Sequence, residues 1–318
     1  MINELNKQKH WLGMVAAIAL GLAGCGETPS PSADQPNVVT TSTIITDWTE
    51  QVGGEEIKVT GILDPGTDPH VYEPVPADSR AIAQADLILY NGYNLEPELI
   101  KVIKGTGVSE KKTFAVAEVI TPFDYESEGQ RVPDPHVWGD VENAIKIVNA
   151  VRDRLIELFP EEEAEFRENA AEYTAKLKQL DSWIIQQIQT IPPDQRQLVT
   201  THDAFQYYAR AYGLEVTGTL IGISTEEQPS AQTVKNLSNA VKESNVPAIF
   251  AETTINPTLI KTVANEAGVK LAEQELYSDS IGAPNSDANS YMGMQVVNTR
   301  AIVKALGGNY TSFQSSQP

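Results

Sequence analysis

Residues 160–193, "PEEEAEFRENAAEYTAKLKQLDSWIIQQIQTIPP", decide the architecture. Phe166, Ala170, Tyr173, Leu177, Leu180, Ile184 and Ile188 recur at spacings of three and four, which lays one apolar stripe along an α-helix. Glu161, Glu162 and Glu163 suit the positive end of the helix dipole, and Pro192-Pro193 halt the helix. About thirty residues at about 1.5 Å each make a rod of roughly 45 Å, enough to run the height of a two-lobed protein. An oligomeric coiled coil is the competing reading, and about four heptads flanked by α/β patterns suit it poorly.

Both flanks alternate short apolar strands with amphipathic helices. Before the rod, "NVVTTST", "IKVTGILD", "ADLILYNG" and "KTFAVAEV" read as strands, with helices at "ITDWTEQVG", "ADSRAIAQA" and "LEPELIKVIKG". After it come "QLVTT", "LEVTGTL", "VPAIFAE" and "VKLAEQEL", interleaved with helical stretches and closed by "SYMGMQVVNTRAIVKALG". The pattern predicts an α/β protein with two parallel-sheet lobes, residues 38–159 and 192–318, joined by a helix over 160–191. The cleft between the lobes is then the expected binding place.

The N-terminus predicts the compartment. Lys7 and Lys9 precede an apolar run from Trp11 to Leu22, too short to cross a hydrocarbon core of roughly 30 Å. Residues 1–24 therefore read as a secretory leader, ending in Leu22-Ala23-Gly24-Cys25. Cys25 is the only cysteine, which excludes a disulfide framework and a thiolate metal cluster. Residues 25–37, rich in Pro and Ser, predict a disordered tether. A formal net charge of −20 argues against nucleic acid as a partner without identifying a ligand.

"TDPHVYEP" at 67–74 and "PDPHVWGD" at 133–140 repeat Asp-Pro-His-Val-aromatic. With His10 in the leader, the mature chain keeps only His70, His136 and His202, evenly spaced. In open α/β sheets ligands bind beyond the carboxyl ends of strands. His70 follows the second strand, His136 the fourth, His202 follows "QLVTT", and Asp279 follows "VKLAEQEL". Three imidazoles and a carboxylate suit a borderline divalent transition metal better than Ca²⁺ or Mg²⁺. A lone histidine is more often structural, and Glu252, Asp203 and Asp287 rival Asp279 as the fourth donor; spacing does not separate them.

Taken in order, "LAGC", "DPHVYEP", "DPHVWGD", "VTTHDAFQYYARAYG" and "YSDSIG" around a long central helix resemble the metal-receptor lipoproteins of bacterial manganese and zinc ABC importers. The resemblance covers nearly the whole mature chain. It implies lipidation at Cys25, a metal site of His70, His136, His202 and Asp279, and two lobes held by one rigid helix. It also implies a monomer on the outer side of a membrane, in the periplasm or at the cell surface, feeding an ABC permease and its ATPase. The expected role is capture and delivery, without catalysis and without a catalytic cofactor. "GTGVSEKK" at Gly105 lacks Walker A spacing, so energy must come from a partner.

Nitrogen-rich ligation leans toward Zn²⁺, as does the Irving–Williams order. Many manganese members carry Glu where this chain has His202. Zinc-type members usually carry a His-rich loop between the first two ligand positions, and residues 105–133 here contain no histidine. Treponemal-type relatives with three His and one Asp are associated with both metals. The reading favours Mn²⁺, with Zn²⁺ next. The alternatives are a periplasmic zinc hydrolase, which would keep an open water position, and a surface adhesin lipoprotein. The sequon at Asn309 is read as chance.

Overall fold

The protein is described by a computed structural model covering residues 35–127, 130–244 and 246–314. The predicted leader, Cys25 and most of the predicted tether lie outside the described residues. Strand β1 (Asn37–Thr40), helix α1 (Thr43–Gly53), β2 (Lys58–Gly61), α2 (Pro76–Gln84), β3 (Leu87–Tyr90), α3 (Pro97–Gly105) and β4 (Thr113–Ala115) build the first lobe. Its sheet is parallel, in the order β2-β1-β3-β4, with Val39 opposite Thr60 and Ile88. Side chains alternate across the pleat. Val38, Leu87 and Leu89 face the main core, whereas Val39 and Ile88 face a smaller cluster under α2 and α3. Both faces are covered, which is why these strands read as unbroken apolar runs.

An antiparallel hairpin, β5 (Asp124–Ser127) and β6 (Gln130–Pro133), interrupts the segment between β4 and His136. The sequence predicts only a loop there. Helix α4 (Val141–Leu158) follows, its N-terminus capped by the Asp140 carboxylate accepting the Glu142 N–H. A short 3₁₀ turn at Pro160–Glu162 then leads into α5 (Glu163–Gln189).

The second lobe contains β7 (Gln197–Thr200), α6 (Gln206–Tyr212), β8 (Glu215–Thr219), α7 (Ala231–Ser244), β9 (Ala248–Ile249), α8 (Thr258–Ala267), β10 (Lys270–Leu271) and α9 (Tyr291–Ala305). Strands β7 and β8 pair in parallel, as do β9 and β10. The Phe250 N–H donates to the Val199 carbonyl at 2.9 Å, bringing the two pairs edge to edge. The predicted strands "VPAIFAE" and "VKLAEQEL" shrink to two residues each, and beyond them the chains meet only in an isolated bridge between Glu252 and Leu276.

All seven residues of the α5 stripe are buried. They join one continuous core that runs from β1 and α1 through α4 and α5 to β7, α6 and α9. Fully burying one Leu or Ile is worth about 1.5–3 kcal/mol, so the helix is bonded into both lobes by packing along its length.

Candidate metal centre

The parallel strands explain where the site forms. Strand β2 leads into the loop bearing His70, β7 into His202, and the bridged segment after β10 into Asp279, all at carboxyl ends. His136 enters after the β5–β6 hairpin and just before α4. One ligand-type atom from each of His70, His136, His202 and Asp279 lies within 4.8 Å of the other three. The side chains are shut off from solvent, with residue exposures of 2 %, 0 %, 0 % and 1 %.

His70 Nε2 stands 3.2 Å from His136 Nε2. Asp279 directs Oδ1 toward His136 Nε2 at 3.5 Å and Oδ2 toward His202 Nε2 at 3.3 Å. Neither carboxylate oxygen, nor His202 Nε2, has a hydrogen bond. Buried polar atoms are normally satisfied, and an unsatisfied carboxylate is especially costly. A protonated His202 can balance the Asp279 charge at 3.3 Å, and a divalent cation in its proton's place would take up donors from all four residues at once.

The repeated Asp-Pro-His has a structural cause. In each copy the Asp carboxylate accepts the N–H of the histidine two residues on, Asp68 from His70 at 2.9 Å and Asp134 from His136 at 3.0 Å. This is a side-chain-closed turn, with Pro fixing φ between the partners. The copies then diverge. Asp134 also meets His136 Nδ1 at 2.7 Å, whereas Asp68 uses its second oxygen to accept the Thr225 hydroxyl from the other lobe at 2.7 Å. The motif aromatics diverge too: Tyr72 donates to Asp78, and Trp138 Nε1 donates to the Ser278 carbonyl at 2.9 Å, tying the His136 loop to the Asp279 loop.

Further bonds cross between the lobes beside Asp279. Ser280 Oγ accepts the Gly66 N–H at 2.8 Å and meets Thr43 Oγ1 at 3.1 Å, while the Ile281 N–H donates to Thr43 Oγ1. The rival carboxylates stand outside the four-residue group. Asp203 is held by Gln206, Asp287 pairs with Arg300 on the surface, and Glu252 sits behind His202, accepting from its backbone N–H at 2.8 Å and facing its Nδ1 at 2.5 Å. The sequence marks Glu252 only as a rival donor and assigns Asp68 and Asp134 no role. The repeated Asp was a local signal for the latter two.

Burial pushes the His70 imidazole down to about 3, so it is neutral at physiological pH. Burial also opposes charge on His202, but Glu252 and Asp279 outweigh it and hold that imidazole well above the usual histidine range. For Asp279, burial works toward the neutral acid; His202, His136 and His70 outweigh it and keep the carboxyl below the usual carboxylate range.

Donors packed this closely, away from water, fit a bare cation and not an organic substrate: fold and site define a two-lobed cation receptor. Residues 38–305 match the family described as ZnuA, zinc-uptake complex component A, periplasmic. The manganese-binding lipoprotein MntA of Halalkalibacterium halodurans is 35 % identical over 92 % of this chain and 97 % of its own length. The periplasmic zinc-binding protein TroA of Treponema pallidum superposes with a TM-score of 0.81 at 34 % identity, covering 86 % of this chain and 99 % of that one. A manganese-bound periplasmic metal-binding protein from Candidatus Liberibacter asiaticus superposes with a TM-score of 0.76 at 28 % identity, over 85 % and 99 % of the two chains. The chain belongs to the ZnuA family of metal-binding lipoproteins, the substrate-binding components of manganese and zinc ABC importers. It is a solute-binding protein for a divalent metal, and not an enzyme.

Proposed function

We propose that His70, His136, His202 and Asp279 together ligate one divalent transition-metal ion, Mn²⁺ in preference to Zn²⁺ as the physiological cargo, and that the receptor surrenders it to a membrane permease driven by a separate ATPase. The observation that carries this reading is the convergence of four buried donor groups whose carboxylate oxygens have no hydrogen bond. Two nitrogens 3.2 Å apart, each about 2.1 Å from one ion, would subtend roughly 100°. That angle suits coordination numbers of four and five.

The two Asp279 oxygens face different histidines, so both can reach one ion and give five donors. Five-coordination relaxes the tetrahedral demand of zinc, and a hard carboxylate through both oxygens suits Mn²⁺. The manganese-binding names of MntA and of the Liberibacter structure support the same choice. Zn²⁺ retains the higher intrinsic affinity at an N/O site, so availability selects the cargo. The leader, the Leu-Ala-Gly-Cys sequence and the lipoprotein relatives support a lipid anchor at Cys25, outside the cytoplasmic membrane. Lobe boundaries at 38–159 and 192–318 follow from the same reading.

Competition titration of metal-stripped protein with Mn²⁺ and Zn²⁺, repeated on His202→Glu, tests the assignment. Mn²⁺ should bind one per chain and gain relative to Zn²⁺ in the variant. Failure of the wild-type chain to retain Mn²⁺ when zinc is scarce would remove manganese as cargo.

A further inference from the structure

We infer that Glu252 is the positioning residue that makes His202 a metal donor, a role that rests on the receptor reading above and extends it. Glu252 ends the β9 segment, which lies beside β7 through the Phe250–Val199 hydrogen bond, so its carboxylate is brought next to His202 despite fifty residues of separation. One oxygen accepts the His202 backbone N–H at 2.8 Å, and the other stands 2.5 Å from His202 Nδ1. Both oxygens face one residue, on the Nδ1 edge of the ring away from the Nε2 that meets Asp279, so Glu252 stands behind the four-residue group.

The two-point grip has a chemical consequence. With the carboxylate accepting at Nδ1, the ring keeps its Nδ1 proton when a metal displaces the one on Nε2, and the Nε2 lone pair is then directed toward the cargo beside Asp279. The grip also fixes the ring plane, because backbone and ring are held by the same rigid group. His136 is oriented through Nδ1 by Asp134 in the same way, whereas among the described residues His70 has no hydrogen-bond partner at Nδ1. Carboxylate–imidazole–metal relays raise ligand basicity, and losing the outer carboxylate commonly weakens metal binding by about 10–100-fold.

Glu252→Gln keeps the volume of the side chain but turns one acceptor oxygen into a donor amide. Either the ring Nδ1–H or the backbone N–H then faces another donor. Metal-stripped wild-type, Glu252→Gln and Glu252→Asp proteins would be titrated with Zn²⁺ and Mn²⁺, and the Zn²⁺-loaded forms examined by proton NMR for downfield imidazole N–H resonances. Wild type should show two, from His136 and His202. Glu252→Gln should lose the His202 signal, keep the His136 signal, and bind both metals about 10–100-fold more weakly. Glu252→Asp, which keeps the charge and both acceptors, should recover part of the affinity. Binding by Glu252→Gln within about threefold of wild type, or an unaltered His202 resonance, would overturn the inference while leaving the receptor reading intact. If wild type takes up neither metal, both fall together.

Discussion

Acidification from about pH 7.5 to about pH 5.5 tests the electrostatics of the centre. His202 is the histidine held in its charged form, against the cost of burial, by Glu252 and Asp279. In the proposed site a metal ion takes the Nε2 lone pair of His202, so binding would expel that proton. Because the His202 pKa is raised, its proton competes with the metal over more of this window than an ordinary imidazole's would, and affinity should fall as pH falls. His70 adds no proton of its own, since burial keeps it neutral down to about pH 3, and Asp279 stays ionised throughout. One proton released per ion corresponds to about tenfold in affinity, or about 1.4 kcal/mol, per pH unit, so competition at His202 lowers affinity by at most about 100-fold over the window. Calorimetric titration in buffers of different ionisation enthalpy counts the protons directly: about one per metal is expected near neutral pH. A count near zero together with an affinity that does not change with pH would refute the picture of His202 clamped between two carboxylates.

Trp138→Phe removes the indole N–H bond to the Ser278 carbonyl while keeping an aromatic ring; a net loss of about 0.5–1.5 kcal/mol, or up to about tenfold in metal affinity, should appear in the same titrations. Leu177→Ala empties a fully buried position on α5 and should lower the unfolding free energy by about 2–5 kcal/mol in denaturant titration, with metal affinity of the folded protein little altered. Burial pushes Glu96 up to about 7, so the folded chain holds this proton more tightly than the unfolded one and stability declines as pH rises from about 4.5 to about 7. Glu96→Gln keeps the acceptor for the Asn91 N–H and the Thr41 hydroxyl, and should flatten that part of the stability profile in melts at successive pH values.

The rod was legible because its information is local. Spacings of three and four specify a helical face whatever packs against it, and each stripe residue from Phe166 to Ile188 is buried as expected. The convergence of His70, His136, His202 and Asp279 was legible for a different reason: parallel sheets present side chains at carboxyl ends, and the motif order matched a family. Strand lengths in the second lobe were not legible. The apolar runs ending in Glu252 and Leu276 continue past β9 and β10 as an isolated bridge, since the chains there depart from the sheet to carry site residues. The β5–β6 hairpin was missed because Asp124–Pro133 shows no apolar alternation. Glu252 could be proposed as a rival donor but not as the partner of His202, since that depends on which strands become neighbours.

Crystals of the metal-stripped protein soaked in Mn²⁺, with anomalous scattering recorded at the manganese edge, would locate the ion among these side chains. A single strong peak bonded to His70, His136, His202 and both oxygens of Asp279 is expected. A peak elsewhere, or an ion held without Asp279, would contradict it.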